Sequence, residues 1–227
     1  MFSQTYTTMM DTDRIVVQMG SAGMIPVFSH ASIDASKRVL DASYEAGVRV
    51  FEFTNRTVEA ADVFHSLKKY AEQYSDLLLG IGTIFTATDS EKFHLMGADF
   101  IVSPALVSEV ASYCNFNQVF WIPGCATVTE VFQAKSLGAT LVKAFPGNLL
   151  GPGFIKAVLS VIPDIKLMPT GGVEPTHENL AAWFDAGVHC VGMGSQLINP
   201  QWVKDNDMVS LQASIRKALT IIQDVRK

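Results

Sequence analysis

The chain is short of charge, of cysteine and of long apolar runs, and each shortage removes a class of protein. Only 17% of its 227 residues are charged and the net charge is −5, so neither nucleic acid nor an anionic membrane surface is the expected partner. Its three cysteines, Cys114, Cys125 and Cys190, cannot all pair within one chain and have no metal-like spacing. They read as reduced thiols in a cytoplasmic protein, Cys125 and Cys190 as small core residues. No apolar run is long enough to span a membrane, and the N-terminal MFSQTYTTMMDTDR lacks a signal peptide's apolar centre. No His, Asp and Glu residues gather at metal-ligand spacing, so no metal is expected. What remains is a 48% hydrophobic chain with enough length for one substantial core.

A repeat organises that core. Four times a small residue, Leu or Met precedes a glycine and a small apolar residue, and a strand-like run follows. The instances are Ala46-Gly47-Val48, Met96-Gly97-Ala98, Leu137-Gly138-Ala139 and Ala186-Gly187-Val188, with glycines 50, 41 and 49 residues apart. Glycine after a last helical turn is the expected stop, because it takes the left-handed conformation cheaply. Each interval holds two βα units. The intervening strands are expected at Met24–Phe28, Leu77–Ile84, Val119–Pro123 and Ile165–Pro169. Helical spacing of apolar residues marks Ser32–Glu45, Val58–Tyr74, Thr129–Ser136, Phe154–Val161 and His177–Asp185. Eight alternating βα units predict a (β/α)₈ TIM barrel, with a doubly wound sheet as the structural alternative. Residues 1–10 read as a polar lead-in, 11–227 as a single domain, Asp11–Met19 as a helix closing the barrel bottom, and Met208–Arg226 as the last helix.

Pro104, Pro123, Pro146 and Pro169 each read as the end of a strand, which marks the C-terminal face where barrel enzymes keep their chemistry. Lys143 lies three residues before Pro146, on the strand face of Leu141 and Phe145. Burial disfavours an ammonium, and an amine freed that way attacks carbonyls; the alternative is a lysine snorkelling from a strand edge. Glu52 and Thr54 share the Val48/Val50 face of the second strand, with Arg56 just beyond. A carboxylate between Phe51 and Phe53 is either functional or a structural ion-pair partner of Arg56 or Lys143. Thr83 follows Gly80 and Gly82, which leave room for a close ligand. Gly171, Gly172, Gly194 and Ser195 follow the last two strands, where bare N–H groups commonly bind phosphate. His30 follows the first strand and reaches the mouth or the surface. His65, His94, His177 and His189 read as structural or exposed.

These residues carry a resemblance. Ile25-Pro-Val, Gly47-Val-Arg-Val-Phe-Glu-Phe-Thr-x-Arg-Thr57, Gly80-Ile-Gly-Thr-Ile84, Ile122-Pro-Gly-x-x-Thr127, Val142-Lys-x-Phe-Pro146, Pro169-Thr-Gly-Gly172 and Gly192-x-Gly-Ser195 run in the order found in the 2-keto-3-deoxy-6-phosphogluconate (KDPG) and 4-hydroxy-2-oxoglutarate (KHG) aldolases. The resemblance implies a class I pyruvate aldolase of Entner–Doudoroff-type carbohydrate metabolism. It would yield pyruvate with glyceraldehyde 3-phosphate or, from 4-hydroxy-2-oxoglutarate, glyoxylate. Lys143 looks like the Schiff-base lysine, Glu52 like the general acid/base, and Arg56 with Thr83 like the holders of the substrate carboxylate. Thr170 and Phe145 look like substrate contacts, and Gly171, Gly172, Gly194 and Ser195 like the phosphate site. The resemblance further implies a homotrimer without metal or dissociable cofactor. The chain departs from the family at Lys143-Ala-Phe-Pro-Gly-Asn148, where Lys-Phe-Phe-Pro-Ala is common, and at Asn55. Both loops flank the substrate and bear on which 2-keto-3-deoxy acid is used. A phosphogalactonate aldolase, a phosphate-binding barrel isomerase or transferase, and a non-catalytic sugar-phosphate sensor are the alternatives.

Overall fold

Each quarter of the chain folds as the glycine repeat implies. The computed structural model describes residues 3–227, with side chains from Thr12 onward. Strands β1 (Met24–Phe28), β2 (Val50–Thr54), β3 (Leu78–Gly82), β4 (Ile101–Val102), β5 (Trp121–Ile122), β6 (Gly124–Cys125), β7 (Leu141–Ala144), β8 (Lys166–Pro169) and β9 (Val191–Met193) alternate with helices. The helices are α1 (Ser3–Ala22), α2 (Ile33–Glu45), α3 (Ala60–Ala71), α4 (Ala87–Leu95), α5 (Ser108–Asn117), α6 (Val128–Ser136), α7 (Gly147–Val161), α8 (His177–Asp185), α9 (Pro200–Lys204) and α10 (Met208–Val225). Gly47, Gly97, Gly138 and Gly187 all take positive φ, between 89° and 111°. The repeat is therefore a helix stop feeding a strand. Side-chain caps start the helices: Ser32, Thr86, Thr127 and Thr176 each accept a backbone N–H three residues on.

All strand pairs are parallel. One sheet runs β5-β4-β3-β2-β1-β9 and a second β6-β7-β8. Only Pro123 separates β5 from β6, and at the other seam Thr170 bridges to Gly192. The result is an α/β fold with a curled, TIM-barrel-like parallel sheet. Pro123 interrupts a strand and does not produce the strand end expected from the sequence. It has no N–H to give, but its carbonyl accepts the Lys143 N–H at 2.8 Å and pairing resumes at Gly124. Likewise β3 stops at Gly82, because Thr83 adopts φ 64°.

Strand alternation sorts the apolar residues into two cores. Ile25, Val50, Phe100, Ile122, Leu141 and Met168 cluster on the inner face, joined by Val16 and Met19 from α1. A larger cluster fills the space between sheet and helices. Val48 belongs to this outer cluster, because β2 begins only at Val50; Glu52 and Thr54 keep the inward parity of Val50. The helix expected at Asp11–Met19 begins at Ser3 and runs to Ala22. Met1 and Phe2 of the expected lead-in lie outside the described residues. No helix among the described residues is long and apolar enough to cross a membrane.

Candidate active site

Register brings the two ionisable inward residues together. Lys143 of β7 pairs with Gly124 and Met168, and Glu52 of β2 with Val27 and Gly80. Lys143 Nζ stands 3.5 Å from Glu52 Oε1, with the side chains 4% and 1% exposed. That burial excludes a snorkelling lysine, and among the described ion pairs Glu52 meets Lys143 and not Arg56. Both Glu52 carboxylate oxygens lack a hydrogen-bond partner, and so does Thr170 Oγ1. A buried polar atom left unpaired costs about 1–3 kcal/mol. The two on Glu52, beside Lys143, mark a spot that a polar guest completes.

Glycines make the pair possible. A Cβ at Gly82 would lie 1.9 Å from Glu52 Oε1, one at Gly80 2.3 Å from the Phe100 ring, and one at Gly192 2.4 Å from Thr170 Oγ1. The space left by Gly80 and Gly82 thus holds protein side chains and not the close ligand expected from the sequence.

Above the pair opens a cavity of about 500 Å³, lined by Arg56, Phe145, Thr170, Gly171, Gly172, Gly194 and Ser195. Phe145 joins the two, lining the cavity with its ring centroid 5.4 Å from Lys143 Nζ. Seven of the ten residues singled out from the sequence therefore share one cavity, with Lys143 and Glu52 buried beside it. Thr83 stands outside the lining. Ser29, His30, Gln196 and Lys204 face the cavity as well. Lys204 had an available signal in Asn199-Pro200, a capping residue followed by proline at the first helical position of α9. His65 and His177 are exposed, His94 contacts Tyr113, and His189 reaches the Val16 carbonyl.

The loop after β8 is held from below. Gly147 donates its N–H to the Thr170 carbonyl at 2.8 Å, and a Cβ there would stand 2.5 Å from the Gly171 carbonyl oxygen. Asn148 packs against Gly172, whose carbonyl accepts from Asn179 Nδ2 at 3.2 Å. Gly171 and Gly172 both take positive φ, 89° and 70°, which a side chain resists. The Gly147-Asn148 departure from the family pattern is thus a tight seat for the glycine loop. The three thiols are buried and unpaired, and burial pushes each up to about 12.

A TIM-barrel-like sheet holding a buried lysine–glutamate pair beside an open cavity is the architecture of an enzyme for a small molecule. The chain belongs to the KDPG and KHG aldolase family, whose sequence model matches residues 15–214, and it is thereby a carbon–carbon lyase. It is 40% identical to the 2-dehydro-3-deoxy-6-phosphogalactonate aldolase of Escherichia coli K12 over 134 residues, 58% of this chain and 64% of that relative. It is 29% identical to the 2-dehydro-3-deoxy-phosphogluconate aldolase of Treponema pallidum over 201 residues, 88% and 93% of the two chains. The fold matches KDPG aldolase from Legionella pneumophila with a TM-score of 0.82 at 24% identity, covering 89% of this chain and 97% of that one. That structure holds pyruvate as a covalent carbinolamine.

Proposed function

We propose that this chain is a class I aldolase that cleaves 2-keto-3-deoxy-6-phosphogluconate to pyruvate and glyceraldehyde 3-phosphate. On the same reading it also cleaves 4-hydroxy-2-oxoglutarate to pyruvate and glyoxylate. The observation that carries this reading is the 3.5 Å contact between a buried lysine and a buried glutamate with no other polar partner. Lys143 Nζ attacks the C2 carbonyl, and the carbinolamine loses water to give a protonated imine. Glu52 takes the C4 hydroxyl proton as the C3–C4 bond breaks. The bonding electrons pass into the imine as an enamine, and the aldehyde leaves. Protonation at C3 and hydrolysis then release pyruvate and the free lysine. Arg56 offers the substrate carboxylate a permanently charged planar fork, and the family resemblance adds Thr83 from the end of β3; Thr170 and Phe145 contact the substrate near the imine. Gly171, Gly172, Gly194 and Ser195 receive the phosphate.

The covalent bond to Lys143 takes the place of a metal or dissociable cofactor. The chain on this reading is one (β/α)₈ domain over residues 11–227. Its strands close through Pro123 and the Thr170–Gly192 bridge, α1 covers the bottom, and the protein works in the cytoplasm as a homotrimer. A second reading, cleavage of the galactonate epimer, is favoured by the 40% identity to a phosphogalactonate aldolase; kcat/KM on the two epimers separates them.

Incubation with pyruvate and borohydride, followed by intact mass, tests the mechanism. Wild type should gain a reduced pyruvate adduct that maps to Lys143, and Lys143→Met should lose both adduct and turnover. Glu52→Gln should slow turnover on the order of 10²–10⁴-fold and still trap adduct, more slowly. An adduct on another lysine, such as Lys166, would overturn the assignment.

A further inference from the structure

His30 occupies a place that neither the imine chemistry nor the glycine loops account for. It follows β1, and β1 lies between β2 and β9 in the sheet. The loop after β2 carries Arg56 and the loop after β9 carries Ser195, so His30 enters the cavity between the two ends where anions are proposed to sit. The cavity that His30 enters is lined also by apolar Phe28, Val173 and Ile198 and by polar Ser29, Gln196 and Lys204. The ring lies parallel to Phe28, with centroids 6.1 Å apart, and its Nδ1 accepts the backbone N–H of Ser32 at 2.9 Å. With Nδ1 acting as acceptor, the proton of the neutral ring sits on Nε2. The loop thus orients one N–H donor, and among the described residues the ring's hydrogen bond is on its opposite side.

We propose that His30 is a specificity-determining residue for the aldehyde half of the substrate, its Nε2–H donating to a hydroxyl between the cleaved bond and the phosphate. This rests on the aldolase reading above. A six-carbon acid anchored by a carboxylate at one end and a phosphate at the other must place its C4 and C5 hydroxyls between them. Those hydroxyls need donors, and of the polar side chains in the lining His30 is the one that follows the strand between the Arg56 and Ser195 loops and is held by its own loop through Nδ1, leaving Nε2–H to donate. Pyruvate has no such half, so its capture on Lys143 should not involve His30.

Two substitutions separate this role from a structural one. His30→Asn keeps an acceptor near the Nδ1 position for the Ser32 N–H and removes the distal donor. His30→Gln places a donor near the Nε2 position and gives up the Ser32 contact. The expected result is that His30→Asn loses roughly tenfold in kcat/KM for the phosphorylated six-carbon acid, about one hydrogen bond, while His30→Gln retains most of it. Both should form the borohydride-trapped pyruvate adduct, and exchange the pyruvate methyl hydrogens with deuterated water, at the wild-type rate. If His30→Gln falls as far as His30→Asn, or if His30→Asn also slows pyruvate exchange, or if neither variant changes kcat/KM, the proposal is wrong. Failure of the aldolase reading itself would appear separately, as a wild-type protein that traps no pyruvate.

Discussion

An added Cβ at Gly82 would meet Oε1 of Glu52 at 1.9 Å, its Cδ at 2.7 Å and its Cγ at 3.0 Å. These atoms form the end of a flexible side chain, so the strand should survive and the carboxylate should move. At Gly80 the obstacle is the Phe100 ring at 2.3 Å, fixed within the inner core. The two substitutions should therefore fail in different ways. Gly82→Ala should cost little thermal stability and lower kcat at least tenfold by displacing Glu52 from Lys143. Gly80→Ala should destabilise by about 1–3 kcal/mol, the usual size for an overpacked core. Melting temperature and kcat measured on both decide the matter, and a Gly82→Ala enzyme with full kcat would detach Glu52's position from catalysis. Lys143 and Glu52 were legible in the sequence because each breaks an apolar strand at an inward parity. The function of Gly80 and Gly82 was not, since pattern alone cannot say whether an empty space is filled by ligand or by protein. His30 and Lys204 belong to loops and a one-turn helix, where no periodicity assigns a face.

Helices were legible in proportion to how far their apolar residues gather on one side. α2 and α3 bury Val39, Leu40, Val63, Phe64 and Leu67 at helical spacing, and the periodicity marks both. In α4 and α5 the apolar residues are spread around the helix more evenly than in α2, α3, α6, α7 and α8, so periodicity does not mark them. For α4 the cap was the better signal, since Thr86 accepts from the Asp89 N–H. α1 is held in part by His189, whose Nε2 bonds the Val16 carbonyl at 2.8 Å while the ring fills the space that a side chain at Gly20 would take. Burial holds this imidazole below its usual range, with Lys166 and Arg226 pushing the same way. The sign follows from linkage. Above about pH 6.5 His189 is neutral in folded and unfolded chains alike, and its contribution is complete. As pH falls below that value the unfolded chain takes up a proton that the folded one still refuses, so stability declines. Urea midpoints at pH 7.5 and 5.5 should thus differ more for wild type than for His189→Gln, which cannot titrate. Equal pH slopes in the two proteins would remove His189 from the account.

At the scale of the molecule, several apolar side chains are left in solvent where the strands end. Val58 (96% exposed), Phe85, Val128, Phe132 and Leu149 follow β2, β3, β6 and β7, and half-buried Leu106 and Val107 fill the interval after β4. Apolar side chains grouped along one rim mark a contact surface more often than chance exposure does. The other rim also shows apolar residues, among them Phe116 at the end of α5 and Leu95 at the end of α4, so exposure alone does not choose between the two. The rim beside the cavity is the expected interface, because its side chains come from successive loops of the sheet and form a band that neighbouring copies can cover. Light scattering should then give three times the 24.7 kDa chain mass. Phe132→Asp, which sets a charge in that band, should lower the mass toward a single chain while circular dichroism stays unchanged. Phe116→Asp, at the opposite rim, should leave the assembly intact. A monomeric wild type would sink the trimer, and dissociation by Phe116→Asp instead of Phe132→Asp would move the interface to the bottom of the sheet.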